Sequence, residues 1–208
     1  MGKPIVYGPR YSTFTRSVIM ALLEKKVPHD VIHVERATDA KQPDHLARHP
    51  FGRVPAFEHN GFMIYETTPI LRYIDDAFPG PRLTPADIHR RTRAEQIIAV
   101  INSYAYQRLV WDIYVRRVSE QPDEAAIAAA LPPGKVALQA LEDLATDPDP
   151  FLVGRQISLA DLMLVPVMHY FAETPECARM LPQYPKLAAW HAALQARPSV
   201  RETVPVDD

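Results

Sequence analysis

The chain has 208 residues, of which 47% are hydrophobic and 23% are charged, the ordinary composition of a globular protein. Its 23 Lys and Arg residues nearly balance its 25 Asp and Glu residues, so it carries no electrostatic signature of a nucleic-acid or anionic-membrane partner. No window approaches the roughly 18 apolar residues of a membrane span, and one cysteine, Cys177, excludes an internal disulfide and a CxxC pair. Because the first residues lack a secretory signal pattern, we expect a cytoplasmic protein.

The first third of the chain alternates strand and helix patterns. Apolar runs and period-3.6 faces predict strands at 5–7, 31–34, 54–57 and 62–65, and helices at 15–26 and 67–77. Asn60-Gly61 lies between the last two predicted strands and is the strongest short-range signal for a hairpin. This part of the chain is therefore predicted to form an α/β domain.

The rest of the chain is predicted to be helical. The turn-rich segment 79–85 changes the pattern, so we predict an α/β domain at 1–78, a linker at 79–85 and an all-α domain at 86–208. Within the second domain we predict one long helix at 86–118, a helix-rich stretch at 123–145, a helix near Ser158 and a last one at 184–195. We also predict a break at 131–134 and a rigid turn at 147–150, because both contain prolines.

The pair Val54-Pro55 lies at the start of a predicted strand, where a proline cannot serve as an ordinary central-strand residue. A cis peptide bond would turn the backbone N–H and C=O of Val54 outward, toward a ligand. A trans proline at a strand start is the equally plausible alternative. Spacing alone leaves both geometries open.

Two predicted helix starts carry hydroxyl groups. Ser12 precedes the first helix, and Thr67 and Thr68 precede Pro69 at the start of the next helix after the hairpin. N-capping is the favoured interpretation at the threonines. The alternative is that these helix starts bind an anionic ligand, because N–H groups and the helix dipole favour negative charge there.

Four blocks of sequence resemble the cytosolic glutathione transferases, especially serine-type, phi- and theta-like members of bacterial origin. The blocks are residues 7–18, 50–57, 65–68 and 154–161. The resemblance implies a thioredoxin-like domain that binds glutathione and a C-terminal helical bundle domain that supplies most of the electrophile pocket. It also implies a cytoplasmic homodimer that uses glutathione as co-substrate, needs no metal, and detoxifies hydrophobic electrophiles.

The resemblance also implies which residues would bind the cysteinyl and glycyl parts of glutathione. The main chain of Val54 would bind the cysteinyl backbone, with Pro55 in the cis form, and Arg53 would approach the same region. Lys41 would approach the glycyl end.

At the gamma-glutamyl end, Glu66 would meet the ammonium group and Thr67 the carboxylate. Thr67 replaces the serine that is commoner in the family, and Thr68 and Pro69 stand where Arg and Ala are common.

Three hydroxyl groups could stabilise the thiolate of glutathione. Ser12 matches the hydroxyl of the serine branch and is favoured, while Tyr7 ends the first strand as the catalytic tyrosine of other branches does, and Tyr11 is a third candidate. A free thiol has a pKa of about 8.5, so a hydroxyl donor and a helix N-terminus that together lower it by about two units would generate the nucleophile.

The electrophile pocket is predicted to contain aromatic and cationic side chains, which would favour flat, apolar substrates. The predicted residues are Arg10, Tyr11, Phe14, Tyr106, Trp111 and Tyr114. For the aromatic residues of the long helix, which include Tyr104, core packing or a dimer seam is an equal alternative.

The block 154–161 predicts a capping box, in which Asp161 reaches back to the N–H of Ser158. Asp161 is therefore predicted to be structural. His45 and His49 are expected on the surface, because no further ligand completes a metal site with them.

Two alternative functions remain open. The same thiolate could reduce peroxides or remove halogens, or the protein could bind ligands without catalysis.

Overall fold

The computed structural model describes residues 2–146 and 150–205. The chain forms two compact units, one of residues 1–82 together with 197–208 and one of residues 83–196. The turn predicted at 147–150 lies largely outside the described residues. In this division, the segment that begins at Arg197 groups with the first unit, whereas sequence analysis assigned it to the helical domain.

The first unit is built on a four-stranded mixed sheet of order β2-β1-β3-β4, in a thioredoxin-like arrangement. Its strands are β1 (Ile5–Tyr7), β2 (Asp30–Ile32), β3 (Ala56–His59) and β4 (Phe62–Tyr65), and its helices before the boundary are α1 (Thr13–Glu24), α2 (Pro43–Arg48) and α3 (Thr67–Ala77). Strands β1 and β2 are parallel, while β3 is antiparallel to both of its neighbours. Asn60 and Gly61 have φ values of 52° and 78°, the left-handed conformation that a tight hairpin requires.

The strand register places three chain segments at one edge of the sheet. Tyr7 pairs with Ala56, and Ala56 pairs with Tyr65. The residues after β1, before β3 and after β4 therefore leave the sheet side by side. Strand β3 begins two residues later than predicted, because Pro55 has no N–H to contribute to a ladder.

The second unit is helical. It contains α4 (Ile88–Val100), α5 (Glu124–Leu144), α6 (Leu159–Ala172), α7 (Pro175–Met180) and α8 (Pro185–Leu194). The long helix predicted at 86–118 continues beyond α4 as π-helix at Ile101–Ala105 and Gln107–Val115. A π-helix of this length is rare, and the apolar spacing of the sequence did not indicate it.

The predicted break at 131–134 is wrong, because α5 runs through Pro132 and Pro133. Gly134 is buried, and a Cβ atom there would lie 3.6 Å from the side chain of Ile113 and 3.7 Å from that of Leu109. Helix α5 therefore lies against the π-helical segment at Gly134. The helix continues although each proline removes a backbone hydrogen bond, and in proteins most helix stability comes from such tertiary packing.

The predicted capping box begins α6. One oxygen of Asp161 accepts hydrogen bonds from the N–H and the hydroxyl of Ser158, both at 2.7 Å. The other accepts from the N–H of Leu152 at 2.9 Å and from the indole N–H of Trp190 at 2.8 Å. Asp161 has no exposed surface, so it joins three segments of the second unit through one buried carboxylate.

The end of the described chain packs on α1 of the first unit. Arg197 donates two hydrogen bonds to Glu24, at 2.6 and 2.5 Å, and Ser199 donates another to the same carboxylate. A short helix, α9 (Pro198–Arg201), follows. Among the described residues, no helix combines the length and the apolar character that crossing a bilayer requires.

Candidate active site

Ser12 is the N-cap residue of α1, at the edge of the sheet where β1 ends. Its Oγ accepts a hydrogen bond from the N–H of Thr15 at 3.4 Å, and its carbonyl accepts one from Arg16 at 2.9 Å. Within residues 2–146 and 150–205, its hydroxyl hydrogen has no acceptor, and the side chain is only half-buried. Ser12 therefore caps the helix and still has a proton to donate to an anion at the positive end of α1.

Tyr7 uses its hydroxyl hydrogen inside the protein. The hydroxyl donates to a carboxylate oxygen of Glu58 at 2.7 Å, and the guanidinium carbon of Arg48 lies 4.5 Å from the ring centroid. Burial raises the pKa of Tyr7, and the hydrogen bond to Glu58 raises it further. This environment keeps the phenol protonated and directs its proton to Glu58.

Tyr11 is similarly engaged. Its hydroxyl donates to Glu35 at 2.7 Å. Burial and this hydrogen bond raise the pKa of Tyr11 to about 12. Of the three candidate hydroxyls, only that of Ser12 lacks a carboxylate acceptor among the described residues.

Val54 and Pro55 lie beside the turn that follows β1. The Val54–Pro55 bond is cis, one of the two predicted geometries. Gly8 permits this approach, because a Cβ atom at Gly8 would lie 3.3 Å from the Cβ of Val54 and 2.4 Å from Oγ1 of Thr15. Neither the N–H nor the C=O of Val54 forms a hydrogen bond within the described part of the chain, so both can pair with a ligand backbone.

The start of α3 is not capped as sequence analysis favoured. Its N-cap residue is Glu66, which has a positive φ of 69° and forms no side-chain capping hydrogen bond. Thr67 is buried, and its hydroxyl has no hydrogen-bond partner in the ranges that the structure describes. A helix N-terminus with an unused hydroxyl fits a carboxylate ligand, and a non-glycine residue at positive φ is typical of functional sites.

Lys41 lies just before α2, and Arg53 lies in the loop between α2 and β3. Lys41 donates to the carbonyl of Gly52 at 3.1 Å, so part of its hydrogen-bonding capacity is used to hold this loop. The side chain of Arg53 is exposed, whereas its carbonyl points inward and accepts a hydrogen bond from His45.

His45 and His49 were expected on the surface, and this expectation is wrong. Each is only 2% exposed. Nε2 of His45 lies 2.7 Å from the carbonyl oxygen of Arg53, and the ring of His49 lies 5.0 Å from that of Tyr65. Burial lowers the pKa of His49. The spacing of the two histidines was visible in the sequence, but the covering of α2 by neighbouring elements was not.

The predicted electrophile-contacting residues of the first unit differ in exposure. Arg10 is exposed, Tyr11 is 43% exposed, and Phe14 is half-buried in the first turn of α1. All three lie next to Ser12 in the chain.

The predicted aromatic residues of the second unit lie in or beside the π-helical segment. Tyr106, Trp111 and Tyr114 are half-buried, and the ring of Tyr114 lies 4.7 Å from that of Tyr170. Tyr114 therefore has a packing partner within its own unit. Tyr104, by contrast, is 63% exposed.

Cys177 is not placed to act as a nucleophile. It is 3% exposed in α7, and burial raises the pKa of its thiol to about 11. No group of three or more His, Cys, Asp or Glu side chains suited to a metal ion occurs in the described ranges. The polar groups that this edge of the sheet presents are hydroxyls, main-chain groups and a helix N-terminus.

Comparison with protein families identifies both units. Residues 6–82 match the family described as "Glutathione S-transferase, N-terminal domain", and residues 119–202 match "Glutathione S-transferase, C-terminal domain". A relative, glutathione S-transferase F11 of Arabidopsis thaliana, is 30% identical over 205 residues, which cover 93% of this chain and 94% of that protein. The chain therefore belongs to the glutathione S-transferase family of enzymes.

Solved structures agree with this assignment. Poplar glutathione transferase F1 has a TM-score of 0.85 and 25% identity, and the match covers 98% of this chain and 97% of that one. The theta class glutathione S-transferase of the citrus canker pathogen Xanthomonas axonopodis pv. citri, solved with glutathione bound, has a TM-score of 0.84 and 25% identity, covering 100% and 99% of the two chains. The predicted fold, a thioredoxin-like domain and a helical domain, is confirmed.

Proposed function

We propose that this glutathione transferase binds glutathione at the edge of the sheet and stabilises its thiolate with the hydroxyl of Ser12. The thiolate then attacks the electrophilic carbon of a hydrophobic substrate. One observation carries the choice of Ser12: its hydroxyl hydrogen has no acceptor within the described residues, whereas Tyr7 and Tyr11 donate theirs to carboxylates.

The energy required is within reach of this site. Lowering a thiol pKa from about 8.5 by about two units corresponds to about 3 kcal/mol in favour of the anion. A hydrogen bond to a charged group contributes about 1.5–3 kcal/mol, and a helix N-terminus adds about 0.3–1 kcal/mol. Ser12, as the N-cap of α1, supplies both terms.

The remaining contacts with glutathione follow from the same edge of the sheet. Val54 would pair its unused N–H and C=O with the cysteinyl backbone. Thr67 and the uncapped start of α3 would bind the gamma-glutamyl carboxylate, and Glu66 would bind the ammonium. Lys41, which is cationic and exposed, would neutralise the glycyl carboxylate, and the exposed Arg53 would approach the cysteinyl region.

Several finer expectations belong to the same proposal. The electrophile would contact residues among those predicted from the sequence, which are Arg10, Tyr11, Phe14, Tyr106, Trp111 and Tyr114. A homodimer, a cytoplasmic location and a role in detoxification are the family expectations that we carry over.

The proposal is tested by replacing Ser12. Ser12→Ala should lower kcat/KM for glutathione with chlorodinitrobenzene by about 10- to 100-fold at neutral pH, because the loss of about 1.4–3 kcal/mol of thiolate stabilisation has that effect. The pH profile of kcat/KM should move to higher pH by one to two units for the same reason. Ser12→Thr, which keeps the hydroxyl, should retain most of the activity.

Two control variants separate chemistry from stability. Asp87→Ala removes the cap of α4, where Asp87 accepts from the N–H of Arg90 at 2.9 Å, and should leave the pH profile unchanged. Tyr7→Phe should also leave it unchanged, because that hydroxyl serves Glu58. If Ser12→Ala keeps the wild-type profile while Tyr7→Phe abolishes turnover, the hydroxyl is wrongly assigned.

A further inference from the structure

The buried ring of His45 is attached to the loop that precedes the cis proline. Nε2 of His45 lies 2.7 Å from the carbonyl oxygen of Arg53. Because a carbonyl only accepts, Nε2 carries the proton and donates it. The ring is 2% exposed, so water cannot easily replace this hydrogen bond.

The Arg53 carbonyl shares one rigid peptide plane with the N–H of Val54. In a trans peptide these two groups point in opposite directions. A hydrogen bond that fixes the carbonyl toward α2 therefore also fixes the N–H of Val54 in the opposite direction. That N–H has no partner within the described part of the chain, and it is one of the two groups assigned to the cysteinyl backbone of glutathione.

Other hydrogen bonds in the loop do not fix this peptide. The N–H of Gly52 donates to the carbonyl of His49 at 2.8 Å, and Lys41 donates to the carbonyl of Gly52 at 3.1 Å. Both hold the turn before Arg53. Among the described residues, only His45 binds the Arg53 carbonyl itself.

We propose that His45 is a positioning residue for glutathione: its Nε2–H holds the Arg53–Val54 peptide so that the N–H of Val54 faces the cysteinyl backbone. This inference rests on the proposed function, because it assigns a purpose to a group next to the proposed binding site. His45 does not touch the thiol, so it acts on glutathione binding and not on the chemical step.

The test uses two replacements of His45. His45→Phe keeps a planar ring of similar size but has no donor, whereas His45→Gln can place an amide N–H near the position of Nε2. With reduced glutathione and chlorodinitrobenzene, His45→Phe should raise KM for glutathione about five- to tenfold, the effect of losing one hydrogen bond of about 1–1.5 kcal/mol. Its kcat and its KM for chlorodinitrobenzene should stay within about twofold, as should every constant of His45→Gln.

His59, the last residue of strand β3 in the same unit, offers a matched control. It is also buried, its Nε2 lies 3.1 Å from the carbonyl of Gly2, and its Nδ1 lies 2.8 Å from the hydroxyl of Tyr73. Both His45→Phe and His59→Phe should lower the thermal unfolding midpoint, because each removes a buried hydrogen bond, but His59→Phe should not change KM for glutathione. Titration calorimetry with reduced glutathione, performed well below both midpoints, should give the same ranking of the variants.

The outcomes are distinct. If wild-type protein neither binds nor uses glutathione, the proposed function fails. If wild-type protein is active but His45→Phe leaves KM unchanged, or if His45→Gln is as impaired as His45→Phe, only the positioning role is refuted. An equal rise of KM in His59→Phe would also refute it, because the effect would then reflect general destabilisation.

Discussion

Replacement of Asp161 tests how the second unit is held together. In Asp161→Ala, three buried N–H groups, those of Leu152, Ser158 and Trp190, lose their acceptor. Each buried donor left unpaired costs about 1–3 kcal/mol, so the three together would lower the free energy of unfolding by about 3–9 kcal/mol. Burial raises the pKa of Asp161, which shows that burying the charge is itself unfavourable and offsets part of this loss. The expected net loss is about 3–5 kcal/mol.

The measurement is urea-induced unfolding of the purified protein, followed by circular dichroism. Asp161→Asn should lower the free energy of unfolding less than Asp161→Ala does, because asparagine keeps the shape of the side chain and one acceptor oxygen. Asp143→Ala is a matched control, because Asp143 is exposed and, among the residues that the structure describes, accepts a hydrogen bond only from Gln139 at 2.8 Å. Surface changes of this kind alter the free energy of unfolding by less than about 0.5 kcal/mol. A loss below about 1 kcal/mol in Asp161→Ala would refute the reasoning, since that is the value of a single helix cap.

Two further predictions concern the first unit. Burial raises the pKa of Glu24, but hydrogen bonds from Arg197 and Ser199 outweigh burial and lower it. The stability that the Glu24 carboxylate contributes should therefore be complete above about pH 4.3 and be lost as pH falls through the lower pKa of the folded state. The free energies of unfolding of wild type and Glu24→Gln should converge at low pH, and curves that stay apart would contradict this prediction. Gly8→Ala should lower the free energy of unfolding by about 1–3 kcal/mol, because its Cβ would lie 2.4 Å from Oγ1 of Thr15. In a double-mutant cycle, adding Thr15→Ala should recover part of that loss. Strictly additive effects of the two substitutions would disprove the clash.

Local signals in the sequence predicted much of the architecture. Strand β4 and helix α3 have the predicted bounds, since the Asn-Gly turn and Pro69 mark their ends within a few residues. The capping box at Ser158 was predicted for the same reason. Where the prediction failed, in the proline-containing part of α5, the helix lies against side chains of the π-helical segment. Contacts between elements distant in sequence override local preference.

The sequence by itself indicated the segments to which we assign the chemistry in our proposal: a serine before the first helix, a proline after Val54, and hydroxyls at the start of α3. Only the tertiary structure decided which hydroxyl is left to serve a ligand. Tyr7 and Tyr11 are bound by Glu58 and Glu35, which lie 51 and 24 residues further along the chain. The tertiary structure also decided that His45 is buried against the Arg53 carbonyl. The physical reason is that a polar group's role depends on which partners reach it, and those partners are brought together only by the pairing of strands and the packing of helices on them.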